Sequence, residues 1–473
     1  MDEKQIGMIV QKVLDELGNN GEKRPTVSCD TCQDGVFEDI EGAIEAACQA
    51  QLQLANMTIE KRKKVIEAIR RAGQDNAEEF AKRTIDETKM GRYEHKITKC
   101  ILASKHTLGV EDLETIAWSG DHGLTVEELA PFGVIGAIMP STHPVPTLIN
   151  NAISMISAGN SVVINAHPAA QNVSNYAVQL LNQGIVAAGG PANLITCAKN
   201  PTMDTGKIIF THPKIDLLTI TGGPGVVKAA MKAGKRAICA GPGNPPVVVD
   251  ETADITKAAG CIVEGACFDN NLLCIGEKII VAVESIAEEL KRQLVAHQSF
   301  ELTTKQMDDL ANIVFKNGGW GEHEPFLNRE YVGKDAKTLA QVLGITIPPD
   351  TELLFGETPD DHPFVNGEQM MCCVPFLRAP NVDAAILKAQ KAEHSFRHSA
   401  MMHSKNVENM TKMGKIMNCT LFVKNGPSAA GVGIGGEGYF THSIASPTGE
   451  GITSTRTFTR RRRCAMVDYL HIL

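Results

Sequence analysis

The chain has 473 residues, of which 43% are hydrophobic and 21% are charged, and its formal net charge is −9. This composition is typical of a soluble globular protein with two or three domains, and the acidic balance argues against nucleic-acid binding. No apolar run approaches the ~20 residues that a membrane-spanning helix needs, and the acidic N-terminus does not resemble a secretory signal. The 13 cysteines are therefore expected to be reduced thiols in a cytosolic compartment.

The first 18 residues predict a separate amphipathic helix that ends at Gly18. Its apolar residues recur at helical spacing and form one stripe, which consists of Ile6, Ile9, Val10, Val13, Leu14 and Leu17. Residues 19–36 form a polar linker. The stripe either docks on another protein or packs on the chain's own domain, and the pattern alone favours neither. The single CxxC pair in the linker, Cys29 and Cys32, is a weak redox or zinc motif.

Helix formers dominate from about Glu38 to Val110, and strand-like and helical segments alternate after that. The strand-like runs include "GNSVVINAHP", "NLITCA" and "IDLLTITGGPG", and the helical segments between them include "QNVSNYAVQLLNQGIVAAG" and "DTGKIIFTHP". This alternation predicts the α/β class with a doubly wound parallel sheet. A nucleotide would bind outside the carboxyl ends of its strands. A second α/β unit is expected to run to about Lys424.

Two glycine-rich segments are candidate binding loops. Gly222, Gly223 and Gly225 lie between a strand and a helix, where backbone N–H groups at the helix start can bind an anion. This turn is not a full dinucleotide fingerprint. The literal G-x-G-x-x-G match at residues 433–438 lacks the strand and helix that the motif requires. A mobile or substrate-lining loop is therefore expected there.

Two other motifs indicate no chemistry. His394 and His398 have i, i+4 spacing, but Ser395 stands where a zinc-protease helix carries glutamate, so no metal site is predicted. The four arginines at 460–463 are a dense charge run. Pairing at the surface of an acidic protein is the expected role of that run.

Cys274 is the best candidate for a nucleophile among the cysteines. It lies in a polar loop between an alanine-rich helix and an apolar strand, a position that would expose its thiol between two rigid elements. A cysteine needs little activation, because roughly a few per cent is thiolate at neutral pH. The alternative is a structural cysteine, a role that suits Cys197, Cys239 and Cys261.

These segments together resemble the aldehyde dehydrogenase superfamily from about Phe37 to the C-terminus. The superfamily carries "PWNFP", "GNTVVVKP", "TGS" and "ELGGKSP" segments, a catalytic cysteine loop and an "EIFGP" segment. The counterparts here, in the same order, are "PSTHP" at 140–144, "GNSVVINAHP", "TGGPG", "AGPGNPP" at 240–246, the Cys274 loop and "GEQMMCCVPF" around Glu368. The resemblance implies a Rossmann-type cofactor domain, an α/β catalytic domain and a β-ribbon oligomerisation element.

The resemblance also implies how the chain is divided. Residues 1–18 would be an encapsulation peptide and 19–36 its linker. Residues 37–245 would form the NAD-binding domain, with a β-ribbon segment near 122–135, and 246–430 the catalytic domain. Residues 431–473 would return to the cofactor domain and end in an oligomerisation tail. A homodimer or homotetramer is expected.

Ala240 distinguishes this chain from the hydrolytic members of the superfamily. In those enzymes the glutamate of "ELGGK" activates the water that releases the acid, and Ala240 stands at that position. Water needs a general base for this step, whereas a thiol needs far less help, so the loss of the base indicates transfer to a thiol. The segments "DNNLLCIGEK" and "GEGITSTRTFTRRRRC" likewise resemble the coenzyme A-acylating aldehyde dehydrogenases, and most closely the propionaldehyde and acetaldehyde enzymes of bacterial microcompartments.

The resemblance assigns the catalytic residues. Cys274 would attack a short aliphatic aldehyde, such as propionaldehyde or acetaldehyde, and form a thioacyl intermediate. The oxyanion would be bound by the Cys274 backbone N–H together with the Thr142 hydroxyl or the His143 ring. Coenzyme A would then accept the acyl group, and the reaction would be reversible.

The resemblance also assigns the cofactor-binding residues. Glu368 would hold the nicotinamide ribose, and the turn from Gly222 to Gly225 would face the pyrophosphate. Asn165 and His167 would lie near the adenosine end. The superfamily carries a lysine where this chain has Asn165, and the neutral side chain favours NAD over NADP.

The implied setting is the bacterial cytoplasm, within a microcompartment whose shell protein binds residues 1–18. Neither nucleic acid nor membrane is an expected partner. Two alternatives stay open. One is an NAD(P)-dependent acyl-phosphate reductase on the same fold, which also needs a cysteine and no water-activating base. The other is a non-catalytic protein held in the shell by its N-terminal helix.

Overall fold

The computed structural model describes residues 34–321 and 325–472. The predicted N-terminal helix, the CxxC pair and most of the linker lie outside the described residues. The strands are β1 (Val36–Phe37), β2 (Ile116–Gly120), β3 (Gly123–Pro131), β4 (Val134–Ile138), β5 (Ser161–Asn165), β6 (Ile195–Ala198), β7 (Leu217–Thr221), β8 (Ala237–Ala240), β9 (Pro246–Val249), β10 (Ile279–Val283), β11 (Ser299–Leu302), β12 (Leu353–Glu357), β13 (Cys373–Ala379), β14 (Ser399–His403), β15 (Leu421–Lys424), β16 (Ile444–Ala445), β17 (Gly451–Ile452) and β18 (Thr459–Val467).

The α-helices surround these strands. They are α1 (Ile40–Ala55), α2 (Ile59–Asp75), α3 (Ala77–Thr88), α4 (Tyr93–His106), α5 (Pro144–Ser157), α6 (Gln171–Ala187), α7 (Met203–Thr211), α8 (Pro224–Met231), α9 (Ile255–Cys267), α10 (Ala287–Ala296), α11 (Thr304–Val314), α12 (Ala336–Val342), α13 (Pro363–Asn366), α14 (Val382–Ala392) and α15 (Val407–Met417). Within the described ranges, the helices are too short or too polar for any of them to cross a membrane.

The first parallel sheet has the strand order β1-β6-β5-β4-β7-β8. Its inner strands are buried on both faces, and β5 ("SVVIN") and β6 ("ITCA") are buried at every position. Such runs are typical of a parallel sheet that is covered by helices on both sides. From β4 the chain moves outward to β5 and β6, and it later returns to the other side of β4 as β7 and β8. The order therefore reverses at β4, which is where a doubly wound sheet binds its ligand.

The second parallel sheet has the order β11-β12-β13-β10-β9-β14-β15. Its core is a separate cluster of buried side chains that includes Val248, Ile280 and Phe376. The α/β architecture that the sequence predicts, with a doubly wound sheet followed by a second α/β unit, is confirmed. The second sheet extends from Pro246 in β9 to Lys424 in β15.

A third, antiparallel sheet joins β2, β3 and β18. The four consecutive arginines lie in β18 and face β3, where Arg461 and Arg463 form ion pairs with Glu127. Nearly all of β18 and most of β2 are exposed. The arginine run is therefore part of a ribbon, and its charge is partly balanced across the strands.

Candidate active site

The carboxyl end of the first sheet collects several of the predicted site residues. Strand β5 ends at Asn165, β7 ends one residue before Gly222, and β4 ends shortly before the segment 140–144. Strand β4 lies between β5 and β7. The three strand ends are therefore neighbours at the point where the strand order reverses.

The glycine turn is open at the start of α8. A Cβ atom built on Gly223 or Gly225 would have no heavy-atom neighbour within 4 Å. The helix begins at Pro224, and within residues 34–321 and 325–472 no side chain caps it. The Gly222 N–H donates to the carbonyl oxygen of Ala240 over 3.2 Å. The backbone at this helix start is therefore accessible, and it suits the phosphates of a dinucleotide.

Asn165 and His167 have hydrogen-bond partners within the chain. The Asn165 Oδ1 accepts from the Thr205 hydroxyl over 2.6 Å, and its Nδ2 donates to the Thr202 carbonyl over 3.3 Å. The His167 Nδ1 accepts from the Ala169 N–H over 3.1 Å. Burial, and then the positive charge of Arg329, lower the pKa of His167. The positive charge of Arg329 therefore acts near Asn165 and His167, where the sequence predicts only neutral side chains around the adenosine end of the cofactor.

The loop that carries Cys274 begins with a turn in an uncommon backbone conformation. Asp269, Asn270 and Asn271 follow α9 with φ angles of 51°, 55° and 60°. This left-handed region is costly for most residues, and Asp and Asn tolerate it better than others. Three such residues in succession persist only where the surroundings hold them in place.

Asp269 is held by a buried charge cluster, which we define as Asp269, Lys96 and Lys99. All three side chains are at most 2% exposed. The Asp269 Oδ2 accepts from Lys96 Nζ over 2.8 Å and also from Lys99 Nζ. Lys96 further donates to the Thr142 carbonyl over 3.0 Å. The cluster thus ties the Cys274 loop to the segment 140–144.

The two asparagines of the turn are held by other contacts. The Asn270 Nδ2 donates to the Gly333 carbonyl over 2.8 Å. Lys278 Nζ donates to the Asn271 carbonyl over 2.6 Å and to its Oδ1 over 2.8 Å. These bonds span the loop on both sides of Cys274, so its backbone is fixed from both directions.

The segment 240–246 passes directly against Cys274. A Cβ atom on Gly243 would lie 2.4 Å from the Cys274 carbonyl oxygen and 3.0 Å from the His398 ring. Only glycine allows this approach. Ala240, which the sequence predicts to replace the base of hydrolytic aldehyde dehydrogenases, is buried at the end of β8. Its side chain is a methyl group, which cannot accept a proton.

The Cys274 thiol is less ionised than the sequence suggests. The residue is half-buried rather than exposed. Burial, and then the negative charge of Glu368, raise the pKa of Cys274 to about 12, while Lys278 acts in the opposite direction. The expectation of a readily ionised, exposed thiol is therefore wrong, because the loop packs inward and faces a carboxylate.

Glu368 lies close enough to Cys274 to affect its ionisation. Burial raises the pKa of Glu368 to about 6, against the opposing effects of Lys278 and the Gly243 N–H. Its Oε1 is 3.9 Å from Lys278 Nζ. At neutral pH the carboxylate therefore remains mainly ionised beside the thiol.

A small cavity opens beside Cys274, with a volume of about 20 Å³. Its apolar wall consists of Phe268, Leu273, Ile275, Val432, Ile434, Phe440 and Ile444. Its polar lining consists of Lys99, His143, Thr441 and His442. Val432 and Ile434 belong to the glycine-rich segment near residue 433, so this segment lines the cavity.

His143 is a neutral polar group on this cavity. Its Nδ1 lies 2.9 Å from the Thr142 hydroxyl oxygen, and its ring stacks on His442 at a centroid distance of 5.1 Å. Burial, and then the charge of Lys99, lower the pKa of His143 far below its usual value. If the Thr142 hydroxyl donates to Nδ1, the Nε2 of His143 carries the proton and becomes a donor.

Several residues at this site were not found by sequence reasoning. They are Lys96, Lys99, Asp269, Lys278, His398 and His442. The lysines of α4 have i, i+3 spacing, which is equally typical of a solvated helix face. Asp269 and Asn270 carried a usable signal, since adjacent Asp and Asn residues before a nucleophile favour left-handed turns.

The chain is similar to known proteins. Residues 26–311 match the model of the aldehyde dehydrogenase family. The chain is 45% identical to the acetaldehyde dehydrogenase (acetylating) EutE of Salmonella typhimurium, and the match covers 100% of both chains.

Three solved structures are similar over 93% of this chain, each with a TM-score of 0.90. One is the propionaldehyde dehydrogenase of Rhodopseudomonas palustris with bound CoA and an acylated cysteine, which is 46% identical and covered over 100% of its length. Another is the propionaldehyde dehydrogenase from the fucose utilisation bacterial microcompartment of Clostridium phytofermentans, which is 48% identical and covered over 100% of its length. The third is an engineered glycolyl-CoA reductase with bound NADP⁺, which is 46% identical and covered over 99% of its length. This chain belongs to the aldehyde dehydrogenase family.

Proposed function

We propose that this chain oxidises a short aldehyde to its acyl-CoA with a nicotinamide dinucleotide, through a thioacyl intermediate on Cys274. The balance is aldehyde, oxidised dinucleotide and CoA thiol in, and acyl-CoA, reduced dinucleotide and one proton out. The acetylating and CoA-binding relatives support this reaction.

The observation that carries the proposal is the segment 240–246 beside Cys274. Gly243 touches the Cys274 backbone, and the resemblance aligns Ala240, whose side chain is a methyl group, with the position of the hydrolytic base. Without a base at that position, water is a poor acceptor of the acyl group. A thiol attacks a thioester with far less assistance, so CoA is the acceptor that this geometry favours.

In the first chemical step the Cys274 thiol would lose its proton to solvent, and the thiolate sulfur would form a bond to the aldehyde carbon. The carbonyl π bond would break as its electron pair moves to the aldehyde oxygen. The charge that develops on the aldehyde oxygen would be stabilised by the Cys274 backbone N–H and by the Thr142–His143 pair. A neutral donor such as the His143 ring can bind an oxyanion without giving up a proton. Lys99 on the same cavity adds positive charge, which further favours the anionic intermediate.

Glu368 would link cofactor binding to the reactivity of the thiol. Its carboxylate contributes to the high pKa of Cys274. If Glu368 accepted hydrogen bonds from the ribose hydroxyls of a bound dinucleotide, part of its charge would be neutralised and the repulsion of the thiolate would fall. The pKa of Cys274 would then drop, so the dinucleotide is expected to bind before the aldehyde.

The open glycine turn from Gly222 to Gly225 fits a dinucleotide pyrophosphate, and the bound dinucleotide supplies the hydride acceptor. Asn165 favours NAD. The charge of Arg329 near His167 and the NADP⁺ in an engineered relative favour NADP. We therefore propose that the cofactor is a nicotinamide dinucleotide, and the proposal covers both NAD and NADP.

The acceptor is tested by following reduced dinucleotide from propionaldehyde with CoA, with inorganic phosphate, or with neither. Steady turnover is expected only with CoA, and mass spectrometry should identify propionyl-CoA. Sustained turnover with phosphate alone would instead establish the acyl-phosphate chemistry that the fold also permits.

We further propose that residues 1–18 dock the enzyme on a microcompartment shell protein in the bacterial cytoplasm. The apolar stripe of these residues supports this, and a relative comes from a bacterial microcompartment. The ribbon of β2, β3 and β18, whose two outer strands are mostly exposed, would join subunits into a homodimer or homotetramer, because an exposed strand edge is a surface for pairing.

Deleting residues 1–18 should leave CoA-dependent activity intact and abolish co-purification with purified shells. The matched control replaces Leu14 and Leu17 by lysine in the full-length chain, which removes the stripe without shortening the protein. Shell binding that survives both changes would contradict the docking proposal.

A further inference from the structure

The cavity beside Cys274 contains a histidine that the proposed reaction does not use. His442 is only 7% exposed, and its Nε2 has no hydrogen-bond partner among the described residues. The ring stacks on His143 and contacts Phe440 edge to face at a centroid distance of 4.8 Å. His442 is therefore held in place with an unsatisfied polar atom.

Lys99 adds unsatisfied donors to the same cavity. Its ammonium has three N–H donors, and the described residues provide it with one acceptor, the Oδ2 of Asp269. That same oxygen also accepts from Lys96. The buried charge cluster therefore has more donors than acceptors, and Lys99 lines the cavity.

Thr441, which also lines the cavity, already has hydrogen-bond partners. Its hydroxyl interacts with Asn150 Oδ1 at 3.2 Å and with the Thr453 hydroxyl at 2.9 Å. Apart from His143, whose ring is proposed to bind the oxyanion, the open hydrogen-bonding capacity lies at His442 and Lys99. A plain alkyl group placed against these two residues would leave buried polar groups unpaired, which is costly. Sites of this kind discriminate strongly in favour of a substrate that completes the hydrogen bonds.

We propose that His442, assisted by Lys99, binds a hydroxyl group on the carbon next to the aldehyde, so that 2-hydroxyaldehydes are the preferred substrate class. This inference rests on the proposed function. A hydroxyl both donates and accepts, which suits a neutral imidazole and an ammonium together. Burial, and then Lys99, lower the pKa of His442, so the ring is neutral at pH 7. The small cavity favours glycolaldehyde, the smallest member of the class.

The test compares glycolaldehyde with propionaldehyde, which have the same number of heavy atoms and differ by a hydroxyl in place of a methyl group. The measured quantity is the ratio of their kcat/KM values in CoA-dependent turnover. The variant is His442→Phe, which keeps an aromatic ring but removes both ring nitrogens. Aldehyde hydration in water affects all enzyme variants equally, so it cancels when their ratios are compared.

We expect His442→Phe to lower the glycolaldehyde/propionaldehyde ratio by about tenfold or more, because one buried polar group loses its partner. The matched control is His403→Phe. His403 is also buried, and its Nε2 likewise has no partner in the part of the chain that the structure describes, but it lies in β14 and is not part of the lining of this cavity. His403→Phe should leave the ratio unchanged. A loss that affects both aldehydes equally in His442→Phe would mean a structural role and would overturn the proposal.

If His442→Phe does not fold, the variant His442→Gln and the reverse reaction, the reduction of acyl-CoA, still test the proposal. His442→Gln keeps a donor and an acceptor and should retain most of the ratio. The wild-type enzyme should also reduce glycolyl-CoA with a higher kcat/KM than propionyl-CoA. A preference for propionyl-CoA, or for the anionic aldehyde glyoxylate over glycolaldehyde, would contradict the hydroxyl assignment. Absence of CoA-dependent turnover with every aldehyde would instead contradict the proposed function.

Discussion

Replacing Cys274 by alanine is expected to lower CoA-dependent turnover by about 10⁴-fold or more, because covalent catalysis then has no nucleophile. The activity to measure is the formation of reduced dinucleotide from propionaldehyde and CoA. The variant should still bind the dinucleotide with near wild-type affinity, since the contacts proposed for the dinucleotide come from the glycine turn and Glu368 rather than from the Cys274 thiol. Retained binding would show that the fold is intact.

Cys419 provides the matched control for this change. It is also half-buried, and burial raises the pKa of Cys419 to about 12 as well. Its thiol donates a hydrogen bond to the Leu421 carbonyl oxygen. Cys419 lies outside the cavity beside Cys274. Cys419→Ala should keep most of the activity. Substantial acyl transfer in Cys274→Ala would exclude Cys274 as the acyl carrier.

The second large effect concerns stability. Asp269→Ala is expected to destabilise the protein by about 3–5 kcal/mol, because Lys96 and Lys99 would be left buried without their carboxylate. Alanine would also have to adopt the left-handed backbone of this position, which adds about 1–2 kcal/mol. Denaturant unfolding at fixed protein concentration measures the loss.

An exposed aspartate provides the comparison for Asp269. Asp309 pairs with Lys305 on a solvent-facing helix surface, and Asp309→Ala should cost at most about 1 kcal/mol. The double variant Asp269→Asn with Lys99→Met removes one charge of each sign and should recover part of the lost stability. Equal destabilisation by Asp269→Ala and Asp309→Ala would show that the buried charge cluster does not stabilise the loop.

The sequence predicts the scaffold well because local patterns determine it. The buried runs of β5 and β6 and the helical segments between them indicate a parallel sheet without knowledge of any distant contact. The order of the motifs also singles out Cys274 among 13 cysteines. Ala240 is informative for the same reason, because the inference that the hydrolytic base is missing requires only its position within a motif.

The chemistry around the nucleophile depends on contacts between distant parts of the chain. Lys99 and Asp269 are 170 positions apart, and the spacing of Lys99 in α4 does not reveal that it is buried. The ionisation of Cys274 depends on Glu368, which the sequence relates to the cofactor alone. His442 follows a glycine-rich segment, where no local pattern indicates that its ring faces His143.

The identity of the acyl acceptor is tested most directly by rapid mixing of the enzyme with propionaldehyde and dinucleotide in the absence of CoA. Our account predicts a burst of reduced dinucleotide that is stoichiometric with enzyme subunits and then stops. A propionyl group should then be found on the peptide that contains Cys274, and added CoA should release it as propionyl-CoA and restore turnover. Continued turnover without CoA, with free propionate as the product, would contradict transfer to a thiol and show that water reaches the intermediate despite Ala240.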